Sequence, residues 1–344
     1  MSVRDLLIVG AGPSGLAAAI AAKQRGLDYL VIEKGVLVNS VFNFPAHMVF
    51  FTTPELLEIG GLPLVTPYDK PTRLEALRYY RRVVDTYDLQ ISFHERVVAI
   101  EREAPTTHEA SAGEALFVVS TEDARGNSRV RQARAVVLAI GYYDRPNHLG
   151  IPGEDLPHVS HYYTDAHPYY RQRVVVVGGK NSAAEASLEL FRAGAHVTLV
   201  HRHEALGDTI KYWVRPDIEN RIKAGSIAAR FKTKVAEIRR SSVVVESSVG
   251  EAVSGEPRRE EIAADAVFLL TGYVPDVDLM RHAGVRCDEV TLMPELDPET
   301  FETNVPNLFL AGGASAGRNT GSIFIENGRF HGERIVKVLA ERLR

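Results

Sequence analysis

Asp5-Leu6-Leu7-Ile8-Val9-Gly10-Ala11-Gly12-Pro13-Ser14-Gly15-Leu16-Ala17-Ala18-Ala19-Ile20 decides how the rest of the chain is read. Leu6 to Val9 is a short apolar run, the mark of a buried strand, and it stops at Gly10. Gly10, Gly12 and Gly15 have G-x-G-x-x-G spacing, and the small residues beyond them suit a helix packed tightly on a sheet. Each glycine has its own task. Gly10 turns the chain sharply, Gly12 leaves room for a pyrophosphate, and Gly15 lets the helix sit close to the strand. The phosphates would meet unpaired N–H groups at the positive end of the helix dipole, with Pro13 and Ser14 in its first turn. A second strand, Tyr29 to Ile32, ends in Glu33, a carboxylate about 20 residues past the glycines and placed to accept hydrogen bonds from ribose hydroxyls.

The pattern recurs in the middle of the chain. Arg173 to Val177, then Gly178-Gly179-Lys180-Asn181-Ser182-Ala183, is again strand, glycine turn and helix. Only two positions here are glycine, with Ser182 and Ala183 supplying the later small residues. The strand His196 to Val200 ends in His201-Arg202, a basic pair where the first site has an acid. An acid suits a bare ribose and an arginine suits a 2′-phosphate. The first site therefore favours FAD or NAD, and the second favours NADPH. Lys211 and Arg215 are secondary candidates for holding NADPH.

Two further strands stop at glycines followed by prolines: Ala135 to Gly141 with Pro146, and Ala266 to Gly272 with Pro275. They read as crossovers between domains. The expected class is α/β, with two Rossmann-like dinucleotide-binding domains, the second inserted into the first: 1–148 and 278–344 for FAD, 149–277 for NADPH. Between the motifs, Thr72 is placed to cap a helix Arg73 to Tyr87, with Leu74, Leu77, Tyr80 and Val84 on its apolar side. Pro54 to Pro71 is too irregular for a helix, and Ala104 to Glu114 reads as a loop. Leu308 to Leu310 is a strand stopping at Gly312-Gly313. A final helix follows, with Ile335, Val338 and Leu339 on its apolar side.

The 344 residues suit two domains. A net charge of −4 gives no reason to expect nucleic acid or an anionic membrane surface as partner. No apolar run is long enough to span a bilayer, and the first strand begins almost at Met1, so the expected location is cytoplasmic. With Cys287 the only cysteine, neither an internal disulfide nor a C-x-x-C pair is available, and redox chemistry must run through a bound cofactor. No metal site and no catalytic side chain is expected, the chemistry being the flavin's.

The layout resembles two-domain flavoproteins of the low-molecular-weight thioredoxin reductase type. Val31-Ile32-Glu33-Lys34-Gly35 with Asn39-Ser40, His158-Val159-Ser160-His161-Tyr162 with His167-Pro168-Tyr169, Lys211-Tyr212-Trp213 with Arg215-Pro216-Asp217, and Phe324-Ile325-Glu326-Asn327-Gly328-Arg329-Phe330-His331-Gly332 narrow the resemblance to the bacillithiol disulfide reductase family, over nearly the whole chain. That resemblance implies FAD, NADPH, a homodimer and reduction of a low-molecular-weight disulfide. It also implies FAD contacts from Lys34, Asn39, Ser40, Val97, Gly141, Gly312, Gly313, Ile323 and Phe324, and NADPH contacts reaching Gly272. The helix after Gly317 to Gly321 would point its N-terminus at the pyrimidine edge of the flavin. The family carries a cysteine at the position of Ser14, and thioredoxin reductases an aspartate at Gly313. A serine forms no mixed disulfide and is a far weaker nucleophile than a thiolate. Three kinds of acceptor stay open: a bacillithiol-type disulfide, a redox protein, or a one-electron carrier such as ferredoxin. A flavin monooxygenase shares the two domains, but the nearest stretch to F-x-G-x-x-x-H, Gly153 to His158, lacks the phenylalanine. A flavoprotein redox sensor with negligible turnover is a third class.

Overall fold

The computed structural model describes residues 3–103, 115–247 and 258–343. The expected loop at 104–114 lies outside the described residues. The chain forms two compact units, Met1–Arg145 with Tyr273–Arg344, and Pro146–Gly272. Both boundaries fall a few residues earlier than the expected 148/149 and 277/278. Hydrogen bonding shows why. Arg145 forms ion pairs with Asp276 (2.9 Å) and Asp278 (2.7 Å), and its carbonyl accepts from the Val274 N–H, all within the first unit. Asn147 instead donates its N–H to the Gly272 carbonyl at 2.9 Å, within the second.

In the first unit, the opening strand Arg4–Val9 lies between Tyr29–Ile32 and Ser128–Leu138, parallel to both. Ile91–Ser92 extends the sheet beyond Tyr29–Ile32, and Leu308–Leu310 adds a parallel partner along Ser128–Leu138. Strand Ser128–Leu138 begins well before the apolar run Ala135 to Ile140. Its polar first half pairs antiparallel with Leu116–Asp123, which pairs in turn with Glu95–Glu103. That half is partly exposed and carries no apolar run to announce it.

Helix Arg73–Tyr87 starts at the expected cap. The Thr72 hydroxyl accepts from the Glu75 N–H (3.3 Å) while Glu75 accepts from the Thr72 N–H (2.8 Å). Its buried face differs from the expected one: Ala76, Tyr79, Tyr80 and Val83 point inward, and Leu74 is exposed. The tyrosines win because their hydroxyls have work inside. Tyr79 accepts from the Ile59 N–H at 2.8 Å and donates to the Leu62 carbonyl at 2.9 Å, and Tyr80 donates to the Leu57 carbonyl at 3.0 Å. These bonds tie down the irregular segment between Pro54 and Pro71.

The final helix, His331–Arg342, packs on the first helix, Pro13–Gln24. Its buried residues are His331, Gly332, Ile335, Val336, Leu339 and Ala340; Val338 is only half-buried. The helices approach so closely that a Cβ at Gly332 would lie 2.5 Å from the Ala18 nitrogen.

The second unit holds a five-stranded parallel sheet in the order Ala228–Arg230, His196–Val200, Arg173–Val177, Ala266–Leu269, Val159–Ser160. Helix Asn181–Arg192 connects the central strand to its neighbour. An antiparallel sheet of Thr233–Ile238, Ser242–Ser247 and Arg258–Ala263 completes the unit. Helix Arg215–Lys223 has Pro216 in its first turn, as read from the sequence, and Trp213 packs partly buried on the core. Each unit thus has the parallel α/β organisation in which ligands bind beyond the carboxyl ends of the strands. Among the described residues no helix is long and apolar enough to cross a membrane.

Candidate functional site

In the first unit the glycine turn is fixed by backbone. Gly10 has φ +108°, which favours glycine, and a Cβ there would sit 2.5 Å from the Ala139 carbonyl oxygen. A methyl at Gly15 would overlap the Gly10 carbonyl oxygen and lie 3.3 Å from the Ala139 Cβ. At Gly12, by contrast, nothing lies within 4 Å of the Cβ position, so the space above the helix end is open. Pro13 occupies the first turn, no side chain caps this end and no acid stands in the first turn. The helix therefore presents uncompensated N–H dipoles to that space, a setting for an anionic group.

Glu33 is buried, at 5% exposure, and its two oxygens accept from the N–H groups of Ala11 and Gly35, each at 2.8 Å. Burial pushes its carboxyl above the usual range, while those backbone donors pull the other way. The lone pairs left on each oxygen can take hydroxyl donors. Lys34 forms an ion pair with Asp144 at 2.8 Å. The Asn39 Oδ1 faces the Gly35–Val36 turn, and Ser40 is half-buried beside it. Val97 lies in the core, at an irregularity in the strand ladder between Val97 and Ala99 that disturbs regular backbone pairing. Gly141 has φ +63° with open space at its Cβ position.

The tail closes on the same turn. A Cβ at Gly312 would overlap the Ser14 Oγ, and one at Gly328 would lie 3.2 Å from it. Ser14 is thus seated against two glycines from the far end of the chain. The Tyr142 ring lies against Gly313, with ring carbons 2.6 Å from where a Cβ would be, so an aspartate there would have to displace the ring. Ile323 is half-buried and Phe324 is exposed, its N–H held by the Asn327 Oδ1 at 2.8 Å. The short helix Ile325–Gly328 follows.

One residue in this region carries a role not evident from the sequence. His331 is buried, accepts at Nδ1 from the Gly312 N–H (3.2 Å) and stacks on Phe301 with ring centroids 4.0 Å apart. Its proton must therefore sit on Nε2. Burial, and then the nearby Arg334 charge, push its pKa down to about 4. The unfolded histidine takes a proton near pH 6.5, so the folded state gains its contribution above that pH. It loses about 3 kcal/mol of it as pH falls from 6.5 toward 4. In His331→Gln, which keeps an acceptor but cannot titrate, urea unfolding should lack that decline. An unchanged slope in the variant would refute the assignment.

In the second unit, Gly178 has φ +152° and a Cβ there would lie 2.6 Å from the Leu270 carbonyl oxygen and 2.9 Å from the Ala183 Cβ. Lys180 and Ser182 are exposed at the start of helix Asn181–Arg192, which again has no side-chain cap. Asn181 holds the overlying loop, accepting from the Lys211 N–H (2.8 Å) and donating to the Thr209 carbonyl (2.9 Å). Lys211 is buried against Glu185 at 2.6 Å, and Arg215 bonds Glu219 and the Gly207 carbonyl. Both cations thus have structural partners. The His201 ring lies against Gly179, and burial lowers its pKa, with help from His203 and Arg202. Arg202 is exposed and bonds only its neighbour His203 (3.2 Å); no carboxylate pairs with it among the described residues. Gly272, with φ +91°, closes the unit beside Asn147. Cys287 is half-buried in the first unit, where burial pushes its thiol pKa up and makes it less reactive.

Comparison with known proteins follows the same lines. The family model described as pyridine nucleotide-disulphide oxidoreductase matches residues 7–312. Bacilliredoxin reductase of Bacillus subtilis is 41% identical over 98% of this chain and 97% of its own length. The solved bacillithiol disulfide reductase of Bacillus cereus is 39% identical, with a TM-score of 0.91 over 99% of this chain and 100% of that one. A ferredoxin–NADP reductase of Ignicoccus hospitalis is 27% identical over 90% of both chains.

Proposed function

Because the chain belongs to the pyridine nucleotide-disulphide oxidoreductase family, we propose that it takes a hydride from NADPH onto FAD and delivers the electrons to a low-molecular-weight disulfide of the bacillithiol type. That it is a flavin oxidoreductase using a pyridine nucleotide follows from the family. The choice of FAD, of NADPH and of acceptor is our reading, as are a homodimer and a cytoplasmic setting. The observation that carries it is the contrast between the two glycine turns: buried Glu33 beside one, exposed Arg202 beside the other.

The residues divide the work. Glu33 accepts from ribose hydroxyls, while its own backbone donors fix its position. The uncapped helix end at Pro13 takes the pyrophosphate over the open face of Gly12. Arg202 takes the 2′-phosphate by charge-assisted hydrogen bonds, and Lys180 and Ser182 stand at the helix end nearest the second pyrophosphate. FAD, once bound, supplies the two-electron acceptor that no side chain of this chain offers. The overall balance is NADPH, a proton and a disulfide giving NADP⁺ and two thiols.

Ser14 bears on the last step. Its hydroxyl, packed against Gly312 and Gly328, forms no mixed disulfide, and Cys287 is a half-buried thiol with a raised pKa. This favours a second reading in which a one-electron carrier drains the flavin, as the name of the ferredoxin–NADP reductase relative suggests. Anaerobic reduction by NADPH and by NADH, followed by bacillithiol disulfide, ferredoxin, quinone or oxygen, separates them. The expected result is faster bleaching by NADPH, reoxidation by the disulfide, and faster disulfide turnover in Ser14→Cys. Reoxidation by ferredoxin alone would establish the second reading, and a preference for NADH would refute the role of Arg202.

A further inference from the structure

We propose that His148, Glu154 and His161 form a binding site for one divalent transition metal of the zinc class, separate from both nucleotide turns. The His148 Nδ1 lies 3.4 Å from the Glu154 Oε1, and the His161 Nε2 lies 3.3 Å from the same oxygen. All three donor atoms fall within 4.8 Å of one another. Such separations are long for direct hydrogen bonds. They match two edges of a tetrahedron, because bonds of about 2.0–2.1 Å to a central zinc put the donors about 3.3–3.4 Å apart; the two imidazole nitrogens, within 4.8 Å of each other, would draw together around the ion.

The scaffold holds the three groups for this purpose. Both Glu154 oxygens accept backbone N–H groups, Leu149 at 2.8 Å and Gly150 at 2.7 Å, which fixes the carboxylate plane. His161 follows directly on strand Val159–Ser160, which pairs with Ala266–Leu269, so its backbone is anchored in the sheet. His148 follows Asn147, which is pinned by the Gly272 carbonyl (2.9 Å) and the Thr271 hydroxyl (2.8 Å). Side-chain exposure is 6% for Glu154, 12% for His161 and 60% for His148, so the carboxylate is buried, one imidazole is mostly covered and the other stands at an open entrance. Two imidazoles and one carboxylate suit zinc, cobalt or nickel rather than magnesium or calcium. Three protein ligands leave the fourth position to water. A bound ion would clamp the start of the second unit to its edge strand.

The test uses the full-length, flavin-loaded protein after treatment with EDTA, titrated with Zn²⁺ against a chelator of known affinity and with Co²⁺ by visible absorption. We expect about one ion per chain, a four-coordinate cobalt spectrum, and affinity at least about tenfold weaker in His148→Ala. His148 is exposed and outside both nucleotide turns, so that variant should fold and keep its flavin. His203→Ala should bind as the parent does. Absence of saturable binding at micromolar metal would overturn the proposal, as would equal affinity in His148→Ala. Glu154→Gln is the weaker probe, because Glu154 also holds the turn at Leu149 and Gly150.

Discussion

Gly15→Ala should give a protein that has lost its yellow colour and about 2–3 kcal/mol of stability. The added methyl would overlap the Gly10 carbonyl oxygen and press on the Ala139 Cβ at 3.3 Å. The first of these is backbone in a turn already bent to φ +108°, so it has no side-chain rotamer by which to yield. Overpacking of this kind costs about 1–3 kcal/mol. The strain also spreads, because helix Pro13–Gln24 is held from its other side by the final helix, where Gly332 meets Ala18. Retreat from the strand would press the helix into that partner. Gly12→Ala is the informative control. Its Cβ position is open and its backbone is extended, at φ −75° and ψ 175°, so the variant should fold normally yet bind flavin weakly. Urea unfolding and flavin content per chain check both. Full flavin content in Gly15→Ala with unchanged stability would show that the close approach does not matter.

Arg202→Ala should raise KM for NADPH by about 10- to 100-fold, with kcat and the NADH kinetics nearly unchanged. Charge-assisted hydrogen bonds contribute about 1.5–3 kcal/mol, and each tenfold in KM corresponds to about 1.4 kcal/mol. The residue is suited to the test because it is exposed and pairs with no carboxylate among the described residues. Truncating it removes no structural ion pair, unlike truncation of Lys211, which would leave Glu185 without its partner. Steady-state kinetics with both nucleotides, at low and high salt, gives the answer. An unaltered KM for NADPH would move the phosphate contact to another cation.

The architecture was legible because it is written twice, as apolar runs that stop at glycines. Strand Arg4–Val9 and strand Arg173–Val177 both appear where that pattern puts them. What escaped had no apolar run. The first half of Ser128–Leu138 is polar and half-exposed, and Ala228–Arg230 is three residues on a sheet edge. The apolar side of Arg73–Tyr87 was misplaced because tyrosines, with polar ends to satisfy, outcompeted leucines for the interior. Glu33 could be found by counting from the glycines. His331 could not, since its partner Gly312 reaches it only through the tertiary fold. The same holds for His148, Glu154 and His161, which follow no ligand spacing and meet across the turn in which Glu154 holds the Leu149 and Gly150 N–H groups.

The order in which the chain is made gives the insertion of Pro146–Gly272 a further meaning. Ser14 leaves the ribosome early, but Gly312, Gly328 and the helix that backs its own emerge only after the whole inserted unit. The inserted unit is finished sooner, with every strand of its parallel sheet already synthesised. With the nicotinamide nucleotide in the inserted unit and the flavin in the first, as proposed, the nascent protein should acquire the former's pocket before it can retain the latter, and removal of the last helix should leave nicotinamide binding intact while abolishing flavin binding.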